Sequence, residues 1–180
     1  MLIHRRGITL IQMMISCAML AVLTAAFSDI VFVTWRNWNY QNQRLELREP
    51  AIWAMENISQ DLRRARSITL ADASRITFSV SPYESIDYNR VLSGGVWQLV
   101  RTQTLTTLPV TTNTATMGKN VSAFTLQYYD SSGGSIAAPI GSQAQRDNVR
   151  LVRITLSMQS TLLSNTETVT LRTQIRPRNL

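Results

Sequence analysis

The side chains able to do chemistry are few in this chain and lie far apart along it. The 180 residues contain one His (His4), one Cys (Cys17) and one Lys (Lys119). A Cys, Ser or Thr nucleophile needs a neighbouring base to activate it. Nothing around His4 or Lys119 marks either of them as such a base. We therefore expect the protein not to be an enzyme.

Acidic residues and short motifs were the other candidates for a site. Glu84 and Asp87 are close enough in sequence to share a proton or a cation, and Asp130 begins the segment DSSGG. Hard cations take several oxygen ligands, and 130–134 has one carboxylate, so this segment is typical of a turn. One Cys can form neither an internal disulfide nor a CxxC site. No P-loop, GxGxxG or HExxH motif occurs, so the sequence predicts no cofactor and no metal.

The composition describes an apolar, basic chain. Hydrophobic residues make up 44% and charged residues 16%, and the formal net charge is +7. The hydrophobic share excludes a disordered tail. A basic surface favours anionic partners such as DNA or lipid headgroups. Aromatic residues do not alternate with Arg along the sequence, as they would on a nucleic-acid platform, so DNA is only weakly supported as a partner.

The N-terminal part predicts a helix that crosses a membrane. The 21 residues of 8–28 carry no charge, and a helix of that length is about 32 Å long, against about 30 Å for a hydrocarbon core. Two arginines at 5–6 precede it and favour a cytoplasmic N-terminus, and aromatic residues within 35–40 suit the far interface. The alternative is a cleaved secretory signal, whose apolar region is shorter, about 7–15 residues.

A polar stretch and a second apolar stripe follow the membrane segment. Pro50 allows a kink or a restart of the helix, since Pro is tolerated in a first turn. The basic cluster of 63–66 suits the C-terminal end of the helix dipole; a DNA or lipid patch is the alternative. The expected stripe has helical spacing and consists of Ile52, Met55, Ile58 or Ser59, Leu62 and Ala65.

The remaining sequence predicts antiparallel strands. Apolar and polar residues alternate in 76–80, 124–128, 152–158 and 169–175, which is typical of half-buried strands. Segments 86–91 and 96–101 flank a Ser-Gly-Gly turn and predict a hairpin. The uncharged, Thr-rich segment 102–116 predicts an edge strand plus a loop. The fold class expected is α+β, with a long N-terminal helix packed on an antiparallel sheet.

Residues 5–16, RRGITLIQMMIS, resemble the processing signal of type IV pilins and type II secretion pseudopilins. That family has a short basic leader ending in Gly, which a prepilin peptidase removes. The resemblance implies that Gly7 is the last leader residue and that Ile8 is the N-methylated N-terminus. Loss of 1–7 removes His4 and both arginines, which lowers the formal net charge from +7 to +5.

Two positions depart from the family pattern. Ile8 replaces the usual Phe, and Gln12 replaces the usual Glu, which is thought to pair with the N-terminal amine of a neighbouring subunit. Gln keeps hydrogen-bonding capacity without the charge. Two interpretations stay open: Gln12 is a tolerated polar residue, or this subunit sits near a filament tip where the pairing is unnecessary. The expected assembly contacts are Thr9, Leu10, Ile11, Gln12 and Asp29.

Asp29 has two interpretations of its own. A carboxylate at the end of the apolar segment is either solvated at the interface or, inside a filament, paired with an Arg of a neighbour.

Further segments resemble the J/W branch of the family, which contains GspJ-like pseudopilins and PilW-like minor pilins. The segments are 55–65 (MENISQDLRRA), 86–101, 121–130, 150–156 and 173–179. The resemblance implies the type IV pilin fold with four parts. These are a leader (1–7), a transmembrane assembly helix (8–33), an amphipathic periplasmic helix (34–68) and a β-rich periplasmic domain (69–180).

The function implied by this resemblance is structural. The chain would be a minor (pseudo)pilin of the bacterial inner membrane, with a periplasmic C-terminal domain, that helps to initiate or cap a type IV pilus. Its partners would be other minor and major pilin subunits, the prepilin peptidase, the inner-membrane assembly platform and, before assembly, lipid. The alternatives are a pseudopilin of a type II secretion system and a single-pass anchored binding domain that never polymerises.

Overall fold

The computed structural model describes residues 10–162 and 165–177. The chain divides into two compact units, residues 1–42 and 43–180. The first unit is helical from Leu10 onward. The second unit contains the C-terminal part of the same helix, a short second helix and all nine strands of the described residues.

Helix α1 runs from Leu10 to Arg63 and includes Pro50. Pro50 lacks the N–H that would bond to the carbonyl of Glu46, yet the helix continues through it. Of the two possibilities that Pro50 allowed, a restart of the helix does not occur. The expected boundary at 68 is wrong: the helix ends at Arg63 and the first strand begins at Ser67.

The strands agree with the alternating segments of the sequence. Their bounds are β1 Ser67–Ala71, β2 Arg75–Ser81, β3 Glu84–Ser93, β4 Val96–Leu105, β5 Thr111–Lys119, β6 Val121–Tyr129, β7 Ser135–Ile136, β8 Leu151–Leu162 and β9 Asn165–Ile175; helix α2 is Gln143–Arg146. The predicted hairpin is confirmed as β3 and β4, which pair from Glu84↔Leu105 to Ser93↔Val96. The edge strand predicted in 102–116 is confirmed as part of β5.

The strands form two antiparallel sheets rather than the single sheet expected. The first has the order β1-β2-β3-β4-β5 and the second the order β7-β6-β8-β9. The sequence could not show this division, because β5 and β6 are separated by one residue, Asn120. Asn120 has a φ of 60°, a left-handed conformation that Asn adopts more readily than most residues, and the chain leaves one sheet for the other there.

Hydrogen bonds link the two sheets, and one of them joins the Tyr128 hydroxyl on β6 to the Asp72 carbonyl at 2.8 Å. The Arg90 Nε on β3 donates to the Val121 carbonyl at 3.0 Å. The Leu126 N–H on β6 donates to the Ala73 carbonyl at 2.8 Å. The outer edge of β1 is covered by the chain near α2, where the Ile140 N–H donates to the Ala71 carbonyl at 2.9 Å.

The part of α1 within the second unit packs on the sheets through one stripe. The stripe differs from the predicted one at Ile52, which is 45% exposed. Ala51 and Ala54 are fully buried in its place, because small side chains let the helix approach the strands closely. The buried helical residues from 43 onward are Gln43, Leu47, Ala51, Ala54, Met55, Ile58, Asp61 and Leu62.

Candidate functional site

The first unit presents an apolar surface that nothing in the described chain covers. Leu10, Met19 and Phe27 have exposed fractions of 79%, 65% and 70%. By length and composition α1 can cross a membrane, and no residue of its most apolar window is buried. Such a surface is unfavourable in water by about 25 cal/mol per Å², so lipid or another apolar chain must cover it.

The hydroxyl groups of Ser16, Thr24 and Ser28 are satisfied inside the helix. Ser16 donates to the Gln12 carbonyl at 2.9 Å, and Thr24 donates to the Leu20 carbonyl at 2.7 Å. Ser28 donates to the Thr24 carbonyl at 2.8 Å. In hydrocarbon every polar group needs an internal partner, because water is absent. These three hydroxyl groups therefore meet the requirement for burial in a bilayer or among other helices.

The expected processing and assembly residues fall in two groups. Gly7, Ile8 and Thr9 lie outside the described residues. Leu10, Ile11, Gln12 and Asp29 lie on α1, and all four are exposed. Cys17 is also an exposed residue of the apolar segment.

A polar cluster of the second unit joins α1 to the first sheet. The Tyr88 hydroxyl and the Arg101 Nε both donate to the Asp61 Oδ2, each at 2.7 Å. Arg101 Nη1 also donates to the Gln103 Oε1 at 3.1 Å, and the Gln103 Nε2 donates to the Glu84 Oε1 at 2.7 Å. The chain of hydrogen bonds runs from the helix across β4 to β3.

This cluster holds elements in place and has no free reactive group. Burial raises the pKa of the Tyr88 phenol above its usual value, and the hydrogen bond to Asp61 raises it further. Tyr88 therefore stays protonated and acts as a donor. The motif that contains Asp61 predicts no role for this residue. A signal was present, because Asp61 shares a helical face with Ile58, Leu62 and Ala65, and a carboxylate on a buried face needs a partner.

The carboxylates of the candidate acidic residues Glu84 and Asp87 accept hydrogen bonds from side chains of the same sheet. Asp87 accepts from the Arg75 Nε at 2.9 Å and from the Thr77 hydroxyl at 2.7 Å, whereas Glu84 accepts from Gln103. Glu84 and Asp87 thus take different partners. Within the described ranges 10–162 and 165–177, no group of three His, Cys, Asp or Glu residues could hold a metal ion.

The segment 130–134 is a turn, as predicted. The Asp130 Oδ1 accepts from the Ser132 hydroxyl at 2.6 Å and from the N–H groups of Ser132 and Gly134. The hydrogen bond from the Ser132 side chain is the main cause that lowers the pKa of Asp130. The carboxylate is therefore committed to closing the turn.

Aromatic residues lie against arginines that are distant from them in sequence. The Arg90 guanidinium lies 4.1 Å from the centre of the Trp97 ring, and that of Arg153 lies 5.0 Å from the Tyr129 ring. The sequence shows no such interleaving. Cation–π contacts of this kind orient the arginines, although two isolated pairs do not form a continuous platform for a nucleic acid.

Comparison with known proteins adds no family to these observations. No family model matches the chain, and no curated protein matches it. The features that bear on function are therefore those of the chain itself. One is the apolar part of α1, whose side chains are exposed. The other is a strand-rich unit in which the C-terminal part of α1 packs on the sheets.

Proposed function

We propose that this chain is a non-catalytic minor (pseudo)pilin subunit that helps to initiate or cap a type IV pilus. The observation that carries the proposal is the exposed apolar stretch of α1, which continues as a helix into the second unit. The stretch directly follows the segment that resembles a prepilin processing signal. A pilin requires both features, because its helix is first stored in a membrane and then packed among other subunits.

The proposed assembly step is an exchange of apolar surroundings. Before assembly, lipid covers Leu10, Ile11 and the rest of the apolar stretch. During assembly the same surface packs against the helices of other subunits, so little apolar area meets water at any stage. Gln12 and Asp29 are the polar residues of this stretch that would modulate contacts with neighbours, either minor or major pilin subunits.

The partners and the location follow from the same proposal. The chain would lie in the bacterial inner membrane with residues 34–180 in the periplasm, and would move into the filament through the inner-membrane assembly platform. The helix that is long and apolar enough to cross a membrane supports a single-pass anchor. A signal sequence would pass the same test, and the experiment below separates the two.

The test is the intact mass of the protein isolated from membranes, with and without active prepilin peptidase. We expect a chain that begins at N-methylated Ile8 only when the peptidase is active. Gly7→Val should block the conversion, whereas His4→Ala, in the same leader, should not. A chain that keeps residues 1–7 in both strains would contradict the proposal and favour a permanent membrane anchor. Cleavage after the apolar stretch would indicate a secretory signal.

A further inference from the structure

The second sheet has an outer face that carries arginines and no carboxylate. Along β6 and β8 buried residues alternate with more exposed ones, and β9 follows the same pattern through its pairing with β8. The outer positions are therefore every second residue of 125–129, 153–159 and 168–174. None of them is Asp or Glu, and two are arginines, Arg153 and Arg172. We call these positions, together with the neighbouring Arg176, the basic face.

The three arginines of the basic face gather around Gln174. Gln174 lies directly opposite Arg153 in the pairing of β8 with β9. Arg172 precedes Gln174 by two residues on β9, and diagonal neighbours across two strands lie about 7–8 Å apart. Arg176 follows Gln174 by two residues and is exposed between two buried residues. The basic face therefore concentrates positive charge at neighbouring positions.

The charges of these arginines are not neutralised by the chain itself. Within 10–162 and 165–177, none of the three forms an ion pair with a carboxylate. The Arg153 guanidinium lies 5.0 Å from the centre of the Tyr129 ring. In the amide orientation that satisfies both groups, the Gln174 oxygen accepts from the Arg153 Nη2 and Nε at 2.9 and 3.0 Å. Neutral partners thus orient Arg153 and leave its charge in place, whereas Arg75 and Arg101 of the first sheet each pair with an Asp.

The uncharged residues of the basic face also form hydrogen bonds readily. They are Thr, Ser and Gln, with one Tyr, and proteins contact DNA phosphates through Arg together with these same residue types. Among the described residues of β6, β8 and β9, no large hydrophobic side chain is exposed. Stable attachment to a lipid surface needs apolar insertion in addition to charge. The composition of the face therefore favours the phosphates of a nucleic acid over lipid headgroups.

We propose that the basic face binds double-stranded DNA through its phosphates, without reading the base sequence. Single strands are held by stacking on aromatic rings, and Tyr129 is the one aromatic residue among the positions of this face. Arg172 and Arg176 are four residues apart, about 13 Å in an extended chain, and one strand of a duplex presents about four phosphates over that length. The inference does not depend on the proposed function, because it uses neither the leader nor the apolar stretch.

The first test measures how the binding of DNA depends on salt. A fluorescein-labelled duplex of about 20 bp is titrated with the full-length protein in neutral detergent, and fluorescence anisotropy gives the affinity. Each arginine that neutralises a phosphate adds about −0.9 to the slope of log K against log salt. Three contacts predict a slope of about −2.7, which is a loss of about 40-fold in affinity between about 50 and 200 mM salt. A slope near zero, or no binding at low salt, would overturn the proposal.

Arginine substitutions then test whether the DNA binds at this face. Arg172→Gln should make the slope shallower by about 0.9, and the triple variant Arg153→Gln, Arg172→Gln, Arg176→Gln should do so by about 2.7. The matched control changes the three arginines within 63–66, at the end of α1, to Gln. It removes the same charge and should keep the wild-type slope. Equal changes in the two triple variants, or a larger change in the control, would place the binding elsewhere and overturn the proposal.

A photo-crosslink provides a test of position that does not use charge. Thr155 lies on the basic face and is paired with Arg172, whereas Thr114 is exposed on the first sheet. In a Cys17→Ser background, a crosslinker attached at Thr155→Cys should react with the duplex, and one attached at Thr114→Cys should not. Stronger labelling from position 114 would contradict the proposal.

Competitors separate DNA from other anionic partners. Poly-glutamate and detergent micelles that contain phosphatidylglycerol are added to the labelled complex, and both should displace the duplex less well than unlabelled DNA does. Tighter binding of either competitor would overturn the assignment to DNA. Circular dichroism of each variant shows whether it is folded, so a loss of binding is not mistaken for unfolding. Processing at Ile8 is measured separately, so DNA binding and the proposed function can fail independently.

Discussion

At the residue scale, the pairing of Asp61 determines how the helix is held on the sheet. Its carboxylate is buried and accepts hydrogen bonds from Tyr88 and from Arg101. A second ion pair, between Asp87 and Arg75, has a similar distance of 2.9 Å, but the Arg75 side chain is 47% exposed against 17% for Arg101. The two ion pairs should therefore contribute different amounts to the free energy of unfolding, because solvent screens the exposed pair.

Asp61→Asn should lower the free energy of unfolding by about 1–3 kcal/mol, because the partly buried Arg101 is left without its counter-charge. Asp87→Asn is the matched control and should lower it by about 1 kcal/mol or less. Urea unfolding of the full-length protein in detergent measures both. Equal losses in the two variants would show that burial does not distinguish the pairs.

Two buried tyrosines make stability depend on alkaline pH. Burial raises the pKa of both Tyr88 and Tyr128 above their value in the unfolded chain, which is near 10. Their contribution is complete below about pH 10 and is lost as the pH rises further, because only the unfolded chain releases the protons. The free energy of unfolding should fall by about 1.4 kcal/mol per pH unit for each tyrosine. Tyr88→Phe should halve that slope, which urea unfolding at a series of pH values above about 10 measures.

At the element scale, the alternation of the sequence identified the main strands, and helical spacing placed much of the buried stripe. The predictions from sequence fail where the position or the burial of an element depends on the other elements that it contacts. Ile52 fits the helical period but is exposed, because Ala51 and Ala54 take the contact surface. The two short elements, β7 and α2, have too few residues for any period to appear. The sequence also did not predict the close contact between Gly118 on β5 and Met158 on β8, because it depends on how the two sheets pack.

A substitution at Gly118 tests how closely β5 of the first sheet packs against β8 of the second sheet. A Cβ at that position would collide with the terminal methyl group of Met158 on β8, which is fully buried. Gly118→Ala should therefore lower the free energy of unfolding by about 1 kcal/mol, because the flexible end of the Met158 side chain has to move within the core. Gly141→Ala is the matched control, since a Cβ there meets open space. Thermal or urea unfolding would contradict the packing argument if the two variants were equally stable.

At the scale of the whole molecule, the two units differ in what surrounds them. The second unit buries its own apolar residues, and none of the buried side-chain polar atoms in its described part lacks a hydrogen-bond partner. The described part of the first unit has no core of its own. Its stability in a cell must therefore come from lipid or from other chains.

Leu20→Arg should reduce the fraction of protein that stays in carbonate-washed membranes. An Arg near the centre of a spanning helix costs about 2.5–3.5 kcal/mol of insertion free energy. Leu45→Arg makes the same change at a position that is 61% exposed but lies beyond the apolar stretch, and it should stay in the membrane fraction. Equal retention of both variants would contradict a membrane role for residues 8–28.

The sequence by itself determined the helix, the main strands, the uncharged membrane-length segment and the scarcity of catalytic side chains. These properties are local, since they depend on residue type and on periods of 3.6 and 2. Only the tertiary structure decided the division into two sheets, the partners of Asp61, the arginine–aromatic contacts and the basic face of the second sheet. Each of these depends on which distant segments meet, and that is set by packing across the core rather than by neighbours in the chain.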